Sequence, residues 1–504
     1  MFQFGDVFEL NQQYYVVIER AEKYIVTFLC KSILDGFELK VPMQKMEWTL
    51  TELETSTGAR VGTIANQNLN QAMRALVFDR VNQYHSIYHK KAEFVPGKSS
   101  LQYSGKVYDE REMTSLADSM LDFWLTSGRF TKSFEKELSQ FLGVRYVSLT
   151  NSGSSSNLLA VSALTSPKLG DRRLLPGDEV ITVAAGFPTT ITPIVQNGLV
   201  PVFVDVDLGT YNANVEAIKQ AIGPKTKAII LAHTMGNPFE LDEITRIAKQ
   251  HHLWLIEDNC DSLGSKYNGQ LTGSFGDIGT SSFYPAHHIT MGEGGAIYTS
   301  NPQLKLMIES FRDWGRDCWC DTGKDNTCGK RYDWQLGDLP HGYDHKYTYS
   351  HLGYNLKATD LQAAIGLEQL NKLDGFIERR KRNFNRLKAQ LKVVEDFFIL
   401  PEATPNSEPS WFGFILTVRE NDTNLRNAIV RRVEEAKIQT RMLFSGNIIK
   451  QPAFNGREYK VVGGLAHTDK IMNDAFLIGV YPGLNDDMID YMAETVTNVT
   501  RQIG

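Results

Sequence analysis

Four of the five cysteines in this chain are spaced in a way that suits a metal centre. Cys318, Cys320 and Cys328 fall within eleven residues, and Cys260 lies further upstream. Four cysteine thiolates can hold either a [2Fe–2S] cluster or a structural zinc ion. Zinc sites usually present cysteines in pairs separated by two residues, and this array has no such pair. The spacing leaves both metal centres open, whereas Cys30 lies outside the array and is expected to be a buried core residue.

A turn rich in glycine and serine opens a predicted helix. Residues 149–157 read Leu-Thr-Asn-Ser-Gly-Ser-Ser-Ser-Asn. Backbone N–H groups, hydroxyls and the positive end of the helix together suit a phosphate group. The same serines could serve only as helix N-caps, and the turn by itself does not decide between the two interpretations.

Asp258 and Phe187 are candidates for contacts with an aromatic cofactor. Asp258 follows the apolar run 253–257, which predicts a buried strand, and α/β sheets bind ligands at the carboxyl ends of their strands. A carboxylate there can pair with a protonated pyridine nitrogen and strengthen the ring as an electron sink, or it can merely cap a loop. Phe187 could stack on the ring or belong to the core.

The bulk composition excludes several classes of protein. The chain has 504 residues, of which 42% are hydrophobic, enough for one large core and smaller domains. Its net charge of −6 gives no basic excess for nucleic acid. The first residues do not resemble a signal peptide, and no apolar run reaches the roughly 18 residues that a membrane span needs. We therefore expect a cytoplasmic protein that binds neither membrane nor nucleic acid.

Strand and helix patterns predict four regions along the chain. They are a β-rich accessory or oligomerisation module, a helix with a linker, a large α/β domain and a smaller C-terminal α+β domain, over residues 1–64, 65–99, 100–380 and 381–504. In the large domain, apolar runs alternate with helical patterns, which is typical of a mostly parallel sheet flanked by helices. The runs are 146–149, 179–183, 200–204, 228–232 and 253–257.

A further motif lies at residues 282–295, which read Ser-Phe-Tyr-Pro-Ala-His-His-Ile-Thr-Met-Gly-Glu-Gly-Gly. Together with the glycine–serine turn, Phe187 and Asp258, this segment resembles the sugar aminotransferases of the DegT/DnrJ/EryC1/StrS family, which are fold-type I enzymes dependent on pyridoxal phosphate (PLP). The resemblance covers about residues 100–500, and the N-terminal module departs from it. Other blocks that resemble the family are PGDEVI, HTMGNP and GYNLKA, at residues 176–181, 233–238 and 353–358.

The resemblance implies roles for several residues. Asp258 would meet the pyridine nitrogen and Phe187 would cover the ring. Asn355 would reach the phosphate bound by a neighbouring subunit, which implies a homodimer. The residues implied to hold the phosphate are Gly153, Ser154, Ser155 and Ser282.

Three residues depart from the family pattern. His287 stands where the family has the lysine that binds the cofactor covalently and shuttles protons; a histidine cannot form an imine, but it can still move a proton. Pyridoxamine phosphate (PMP), whose amine is free, would then be the resting cofactor, with His287 as the base. Asp261 replaces a residue that is usually glutamine near the cofactor's 3-oxygen. Tyr284 stands where many relatives carry another residue. Loss of the lysine could also mean an inactive protein.

His287 and the four cysteines together resemble one subgroup of the family, the nucleotide-sugar 3-dehydratases that make 3,6-dideoxyhexoses for lipopolysaccharide O-antigens. The resemblance implies that all four cysteines hold a [2Fe–2S] cluster beside PMP. It implies removal of the C3 hydroxyl from a nucleotide-activated 4-keto-6-deoxyhexose, with CDP-4-dehydro-6-deoxy-D-glucose as the expected substrate. Electrons would arrive singly from a separate NADH-dependent flavin/iron–sulfur reductase.

Two other functions stay open at the level of sequence. One is a cluster-independent 3-dehydratase that recovers PMP from glutamate. The other is a non-catalytic scaffold that keeps the fold and a structural zinc site. The sequence does not fix the nucleotide either, because an enzyme acting on a TDP- or GDP-sugar would look similar.

Overall fold

The computed structural model describes residues 5–10, 13–20, 24–33, 36–40, 45–49, 60–63, 66–90, 92–320 and 323–503. Part of the predicted N-terminal module, including residues 50–59, therefore lies outside the described residues. The chain divides into two compact units. The first comprises Met1–Lys91 and Asp109–Phe123, and the second comprises Ala92–Tyr108 and Trp124–Gly504.

The first unit contains an antiparallel sheet with the strand order β4-β3-β2-β1-β6, in which β5 also pairs with β3. Its strands are β1 Asp6–Leu10, β2 Gln13–Arg20, β3 Tyr24–Ile33, β4 Gly36–Leu39, β5 Lys45–Thr49 and β6 Arg60–Thr63. Successive residues of a strand point to opposite faces, so Val16 packs into one apolar cluster and Val17 into another. Cys30, only 1% exposed, belongs to the first cluster, and the expectation that it is a core residue is confirmed.

The described part of the first unit also contains the helices α1 Asn66–Tyr88 and α2 Glu110–Asp122. Ala72 of α1 is fully buried in the same apolar cluster as Val16. Arg74 of α1 forms an ion pair with Asp122 of α2, with 2.6 Å between Nη2 and Oδ1. Asp109 caps the start of α2 in a reciprocal capping box.

The second unit is built on an eight-stranded sheet with the order β19-β9-β8-β10-β11-β14-β15-β7 among the described residues. The strands of this unit are β7 Tyr146–Thr150, β8 Glu179–Val183, β9 Val200–Val204, β10 Thr226–Ala232, β11 Trp254–Asp258, β12 Lys266–Tyr267, β13 Gln270–Leu271, β14 Ile278–Ser282, β15 Gly295–Thr299, β16 Phe398–Ile399, β17 Ser407–Glu408, β18 Gly413–Val418, β19 Lys460–Val461 and β20 Ala475–Gly479.

Helices flank this sheet and build the C-terminal part of the same unit. They are α3 Arg129–Leu142, α4 Gly153–Leu164, α5 Pro188–Gln196, α6 Val215–Ala221, α7 Leu241–Gln250, α8 Pro302–Arg312, α9 Asp360–Leu370, α10 Leu373–Leu391, α11 Thr423–Glu435, α12 Ala466–Asp474 and α13 Asp486–Ile503. In the described part of the chain, no helix is long and apolar enough to cross a membrane.

The large sheet is mostly parallel, as the sequence predicts. The neighbours from β19 to β14 run parallel, and only β15 is antiparallel to both of its neighbours. Both faces of the sheet are buried: Ile181 of β8 packs into one core cluster, and its neighbour Val180 packs into another. Continuous runs of branched apolar residues are typical of such strands because each strand is covered by helices on two sides.

The carboxyl ends of β7, β8, β11 and β14 lie along one edge of the sheet, since these strands share a direction. The glycine–serine turn follows β7, Phe187 follows β8, Asp258 ends β11, and Ser282 ends β14. The sheet therefore positions the candidate residues at its carboxyl edge, where open α/β sheets bind their ligands.

The C-terminal part of the second unit packs the antiparallel strands β16, β18 and β20 against α10, α11 and α13. Its core includes Phe384, Phe414 and Val496. This arrangement has strands and helices in separate layers, which agrees with the predicted α+β character of the C-terminal region.

Candidate cofactor site

The glycine–serine turn both caps its helix and leaves N–H groups for a ligand. Ser152 is the N-cap of α4, and its hydroxyl accepts a hydrogen bond of 3.1 Å from the Ser155 N–H. The Ser155 hydroxyl donates to Asn151 Oδ1 at 2.6 Å. The first N–H groups of a helix, here those of Gly153 and Ser154, have no acceptor within the helix. Ser154 is exposed, so this end of α4 is open to an anion.

Ser282 packs directly against the turn. A Cβ atom added to Gly153 would overlap the Cβ of Ser282, so only glycine allows the two segments to approach this closely. Ser282 is nearly buried, and its hydroxyl accepts a long hydrogen bond of 3.4 Å from the Tyr284 N–H. The structure thus brings Gly153, Ser154, Ser155 and Ser282 together in one small cradle.

The carboxylate of Asp258 is held on both oxygens. Oδ2 accepts hydrogen bonds from Asn157 Nδ2 at 2.8 Å and from Thr190 Oγ1 at 2.7 Å, and Oδ1 accepts one from the Cys260 N–H at 3.1 Å. Thr280 in turn donates to Asn157 Oδ1 at 2.6 Å. Asp258 is only 5% exposed, so these donors stabilise a charge that is largely shielded from water.

Phe187 lies at the start of α5 with one side of its ring exposed. Its exposed fraction is 50%, and its ring meets that of Phe444 edge-on at 6.1 Å between centroids. An exposed aromatic face at the carboxyl edge of a sheet is suited to stacking on a planar ligand.

His287 and Asp261 lie side by side. His287 Nε2 is 3.4 Å from Asp261 Oδ1, and both side chains are mostly buried. The imidazole also contacts the rings of Phe412 and Tyr284, at centroid distances of 5.5 Å and 6.3 Å. Asp261 Oδ2 is buried and has no hydrogen-bond partner among the described residues. A buried polar atom of this kind usually faces a ligand or water.

Tyr284 and Asn355 are more exposed than the other candidates. Tyr284 is 49% exposed beside His287. Asn355 is exposed, and its Oδ1 accepts a hydrogen bond of 2.7 Å from Lys357. The next residue, Leu356, accepts a hydrogen bond from the Asn151 N–H at 2.9 Å. The segment that carries Asn355 therefore adjoins the glycine–serine turn.

Three of the four candidate metal-binding cysteines interact with one another. The Cys320 N–H donates to Cys318 Sγ at 3.5 Å, and burial together with the neighbouring Cys320 and Cys328 thiols raises the pKa of Cys318. Cys260 is partly buried at the end of β11, where burial and the carboxylates of Asp258 and Asp261 raise its pKa well above the usual range. In the part of the chain that the structure describes, no three histidine, cysteine, aspartate or glutamate side chains lie close enough together to bind a metal ion.

Several residues of this site did not stand out in the sequence. Asn157 and Thr190 hold Asp258, and Phe412 packs on His287 from a segment more than one hundred residues away. Asn157 lies one helical turn after Gly153, on the helix that begins at the phosphate-type turn, and that spacing could have indicated it. Nothing in the local sequence around Phe412 could have done so.

The polar atoms of this pocket fit a pyridine-based cofactor with a phosphate group. A helix end is open to the phosphate, a fixed carboxylate can meet the ring nitrogen, an unpartnered carboxylate oxygen is buried beside His287, and an aromatic face is exposed. Together with the mostly parallel sheet, these features define the class of fold-type I PLP-dependent enzymes.

Residues 106–497 match the DegT/DnrJ/EryC1/StrS aminotransferase family. The chain belongs to this family, as its resemblance at the level of motifs predicts. The match leaves the N-terminal strands β1–β6 outside the family region.

Several known proteins are similar in sequence to this chain over most of its length. The lipopolysaccharide biosynthesis protein RfbH of Salmonella typhimurium is 58% identical over 83% of this chain and 96% of its own length. The dTDP-4-dehydro-2,6-dideoxy-D-glucose 3-dehydratase of Saccharopolyspora spinosa is 55% identical over 81% of this chain and 89% of its own. A solved structure of Escherichia coli GDP-4-keto-6-deoxy-D-mannose-3-dehydratase with bound hydrated PLP has a TM-score of 0.71 and 28% identity, covering 79% of this chain and 99% of that one.

Proposed function

We propose that this protein uses PMP to remove the C3 hydroxyl from a nucleotide-activated 4-keto-6-deoxyhexose. The observation that carries the proposal is His287, a histidine where the family resemblance predicts the cofactor-binding lysine. An imidazole cannot hold the cofactor covalently, but it can accept and return a proton near neutral pH. Its position beside Asp261, with 3.4 Å between Nε2 and Oδ1, supports a role in proton transfer. Relatives named as sugar 3-dehydratases point to the same chemistry.

Each side chain of the pocket would have a defined task. When bound, PMP supplies an amine that condenses with a sugar ketone and a ring that accepts electrons. Asp258 would keep the ring nitrogen protonated, and Phe187 would cover one face of the ring. His287 would accept the proton whose loss from the C4′ carbon of the cofactor drives departure of the C3 hydroxyl. Asp261, beside Nε2, would stabilise the imidazolium that forms, and Tyr284 would line the sugar side. The phosphate would be held by Gly153, Ser154, Ser155 and Ser282.

The four cysteines would serve the reductive half of the reaction by holding a [2Fe–2S] cluster, which transfers electrons singly. Replacing the C3 hydroxyl by hydrogen consumes two electrons and two protons and releases water. The electrons would come from a separate NADH-dependent flavin/iron–sulfur reductase. The thiols of Cys320 and Cys328 lie near enough to Cys318 to raise its pKa, and this supports these three residues as ligands. Cys260, next to Asp258, would be the fourth, and binding of the cluster would have to draw the four thiols together.

The proposal also includes the nucleotide of the sugar substrate and the oligomeric state of the protein. The sugar dehydratases among the relatives carry dTDP or GDP in their names, and the motif resemblance favours CDP-4-dehydro-6-deoxy-D-glucose, so this substrate is our first choice. A homodimer would let Asn355 contribute to the phosphate site of the neighbouring subunit. The open position of the Asn355 side chain supports that role.

The test is anaerobic purification followed by turnover. We expect iron and acid-labile sulfide in equal amounts, and release of a 3-deoxy-4-ketosugar when the protein, PMP, a reductase and NADH are mixed with CDP-, TDP- and GDP-4-keto-6-deoxysugars in parallel. Zinc without iron would remove the cluster from the proposal. Failure of every nucleotide sugar to turn over would remove the dehydratase function.

A cluster-independent 3-dehydratase that is regenerated by glutamate is the second candidate. It is favoured by the structural likeness to a GDP-4-keto-6-deoxymannose-3-dehydratase solved with a trapped PLP-glutamate geminal diamine, and by the absence of a converged metal site among the described residues. Product formation with glutamate and without a reductase would establish this candidate. Dependence on the reductase, with no effect of glutamate, would exclude it.

A further inference from the structure

One buried arginine, Arg380, joins the two chain segments that lie against the His287 imidazole. It is on α10 and is fully buried. Its Nη2 donates a hydrogen bond to the His287 carbonyl at 3.1 Å, and its Nη1 donates to the Trp411 and Phe412 carbonyls at 3.2 Å and 3.4 Å. The Phe412 ring in turn packs on the His287 ring, with 5.5 Å between centroids. A single guanidinium group therefore holds both the backbone of His287 and the segment that supports its ring.

The backbone around His287 has few other constraints. Residues 283–290 follow β14 and form neither a strand nor a helix. The His287 N–H donates to the Tyr284 carbonyl at 2.9 Å, which closes a turn. Among the described residues, the His287 carbonyl accepts a hydrogen bond only from Arg380. Removal of the guanidinium group would therefore release the end of the turn that carries the imidazole.

An arginine at this position is unfavourable for packing alone. Burial lowers the pKa of Arg380 to about 9, and its Nε has no hydrogen-bond partner among the described residues. Arg380 forms no ion pair in the described part of the chain, and the carboxylate of Asp261 acts on its charge from a greater distance. A buried charge without a close counterion is costly, and an apolar side chain would avoid that cost. The planar fork of a guanidinium can bond both segments at fixed angles, a geometry that a lysine does not reproduce.

We propose that Arg380 is a positioning residue that holds the His287 imidazole in place for proton transfer. It acts through the carbonyl groups of the two segments, and none of its hydrogen bonds reaches the phosphate cradle. A displacement of a reacting group by about 1 Å can lower a rate about 100-fold, so a released turn should slow the reaction without preventing binding. This inference rests on the proposed function, because His287 needs a fixed position only if it transfers a proton.

A buried asparagine on the same helix provides a matched control. Asn383 is fully buried on α10, and its Nδ2 donates to three backbone carbonyls, those of Val480, Tyr481 and Leu484. Like Arg380, it attaches a neighbouring segment to α10, but that segment does not carry His287. Arg380→Met and Asn383→Leu both leave buried carbonyl groups without their donors, so both should lower the free energy of unfolding.

The two variants should differ in catalysis. We expect kcat to fall about 10- to 100-fold in Arg380→Met, while the KM for the nucleotide sugar and the Kd of PMP stay within about threefold of wild type. Asn383→Leu should keep kcat within about threefold of wild type, and Arg380→Lys, which keeps the charge without the fork, should lie between wild type and Arg380→Met. Wild-type kcat in Arg380→Met, or an equal loss of kcat in Asn383→Leu, would overturn the inference. If Arg380→Met does not fold, the comparison of Arg380→Lys with Asn383→Leu decides in the same way.

Nitrogen-15 NMR of histidine-labelled holoenzyme reads the position of His287 without turnover. The His287 signals, assigned by their loss in His287→Asn, should shift or broaden in Arg380→Met and stay unchanged in Asn383→Leu. If the wild type turns over no nucleotide sugar, the dehydratase function fails, yet this comparison still decides whether Arg380 holds His287. If the wild type is active and the His287 signals are unchanged in Arg380→Met, the inference fails alone.

Discussion

Replacing Asp258 with asparagine should weaken PMP binding by a predictable amount. In wild type, Oδ2 accepts from Asn157 and Thr190, and Oδ1 accepts from the Cys260 N–H. An amide has one oxygen, which can keep the first two bonds, but its NH₂ group then faces the Cys260 donor. That mismatch costs about 1–3 kcal/mol of folding stability. It is present with and without cofactor, so it largely cancels from the dissociation constant of PMP.

The effect on binding comes from the lost negative charge. A hydrogen bond to a charged partner contributes about 1.5–3 kcal/mol, so Asp258→Asn should raise the Kd of PMP about 10- to 150-fold. The assay is fluorescence titration of the apoprotein with PMP. Asp277→Asn is the matched control, because Asp277 also accepts a backbone N–H, from Leu255 at 2.9 Å, but lies at the opposite edge of the sheet. If Asp258→Asn binds PMP with the Kd of the wild type, or if the Kd rises equally in both variants, the lost charge of Asp258 does not account for PMP binding.

Three further outcomes follow from single side chains. His287→Asn should lower kcat by about 10²- to 10⁴-fold while PMP still binds; unchanged turnover would exclude His287 as the base. Gly153→Ala should weaken PMP binding in the same titration, because its Cβ would overlap Ser282; an unchanged Kd would contradict this close packing. Burial lowers the pKa of His351 to about 4, so the stability it contributes is present above pH 6.5 and is lost as the pH falls toward 4. The free energy of unfolding, measured with denaturant between pH 6.5 and pH 4, should fall less in His351→Asn than in the wild type.

Much of the fold could be predicted from sequence because its strands are apolar along their whole length. The runs 179–183 and 200–204 coincide with β8 and β9 residue for residue. The start of α4 was harder, since apolar periodicity begins near Asn157 while the helix begins at Gly153. Glycine and serine carry no apolar signal, so the first turn of a helix that binds an anion looks like a loop.

The candidate site could be predicted only where its residues end strands or open helices. Asp258 and Ser282 follow buried strands directly, and the parallel sheet then brings them to one edge. Residues that hold those groups from a distance left no local signal: Arg380, on α10, reaches the backbone of His287 across more than ninety residues. The sequence also could not indicate whether the four cysteines would converge, because the spacing of thiols along a chain does not determine the conformation of the loop that carries them.

Exchange of a lysine for a histidine alters what the surrounding protein has to provide. A lysine has one reactive nitrogen, and any neighbour that tunes its charge suffices. An imidazole has two nitrogens, and it acts as a base at one of them only if the other holds the proton. Asp261 Oδ1 lies 3.4 Å from Nε2 of His287, and Nδ1 of the same ring is buried. Arg380 is fully buried, and its guanidinium donates to the carbonyl groups of Trp411 and His287, so it fixes the backbone that carries the imidazole. In the proposed role of His287 as a base, Asp261 would therefore stabilise the proton that the imidazole gains, and Arg380 would hold the ring in place.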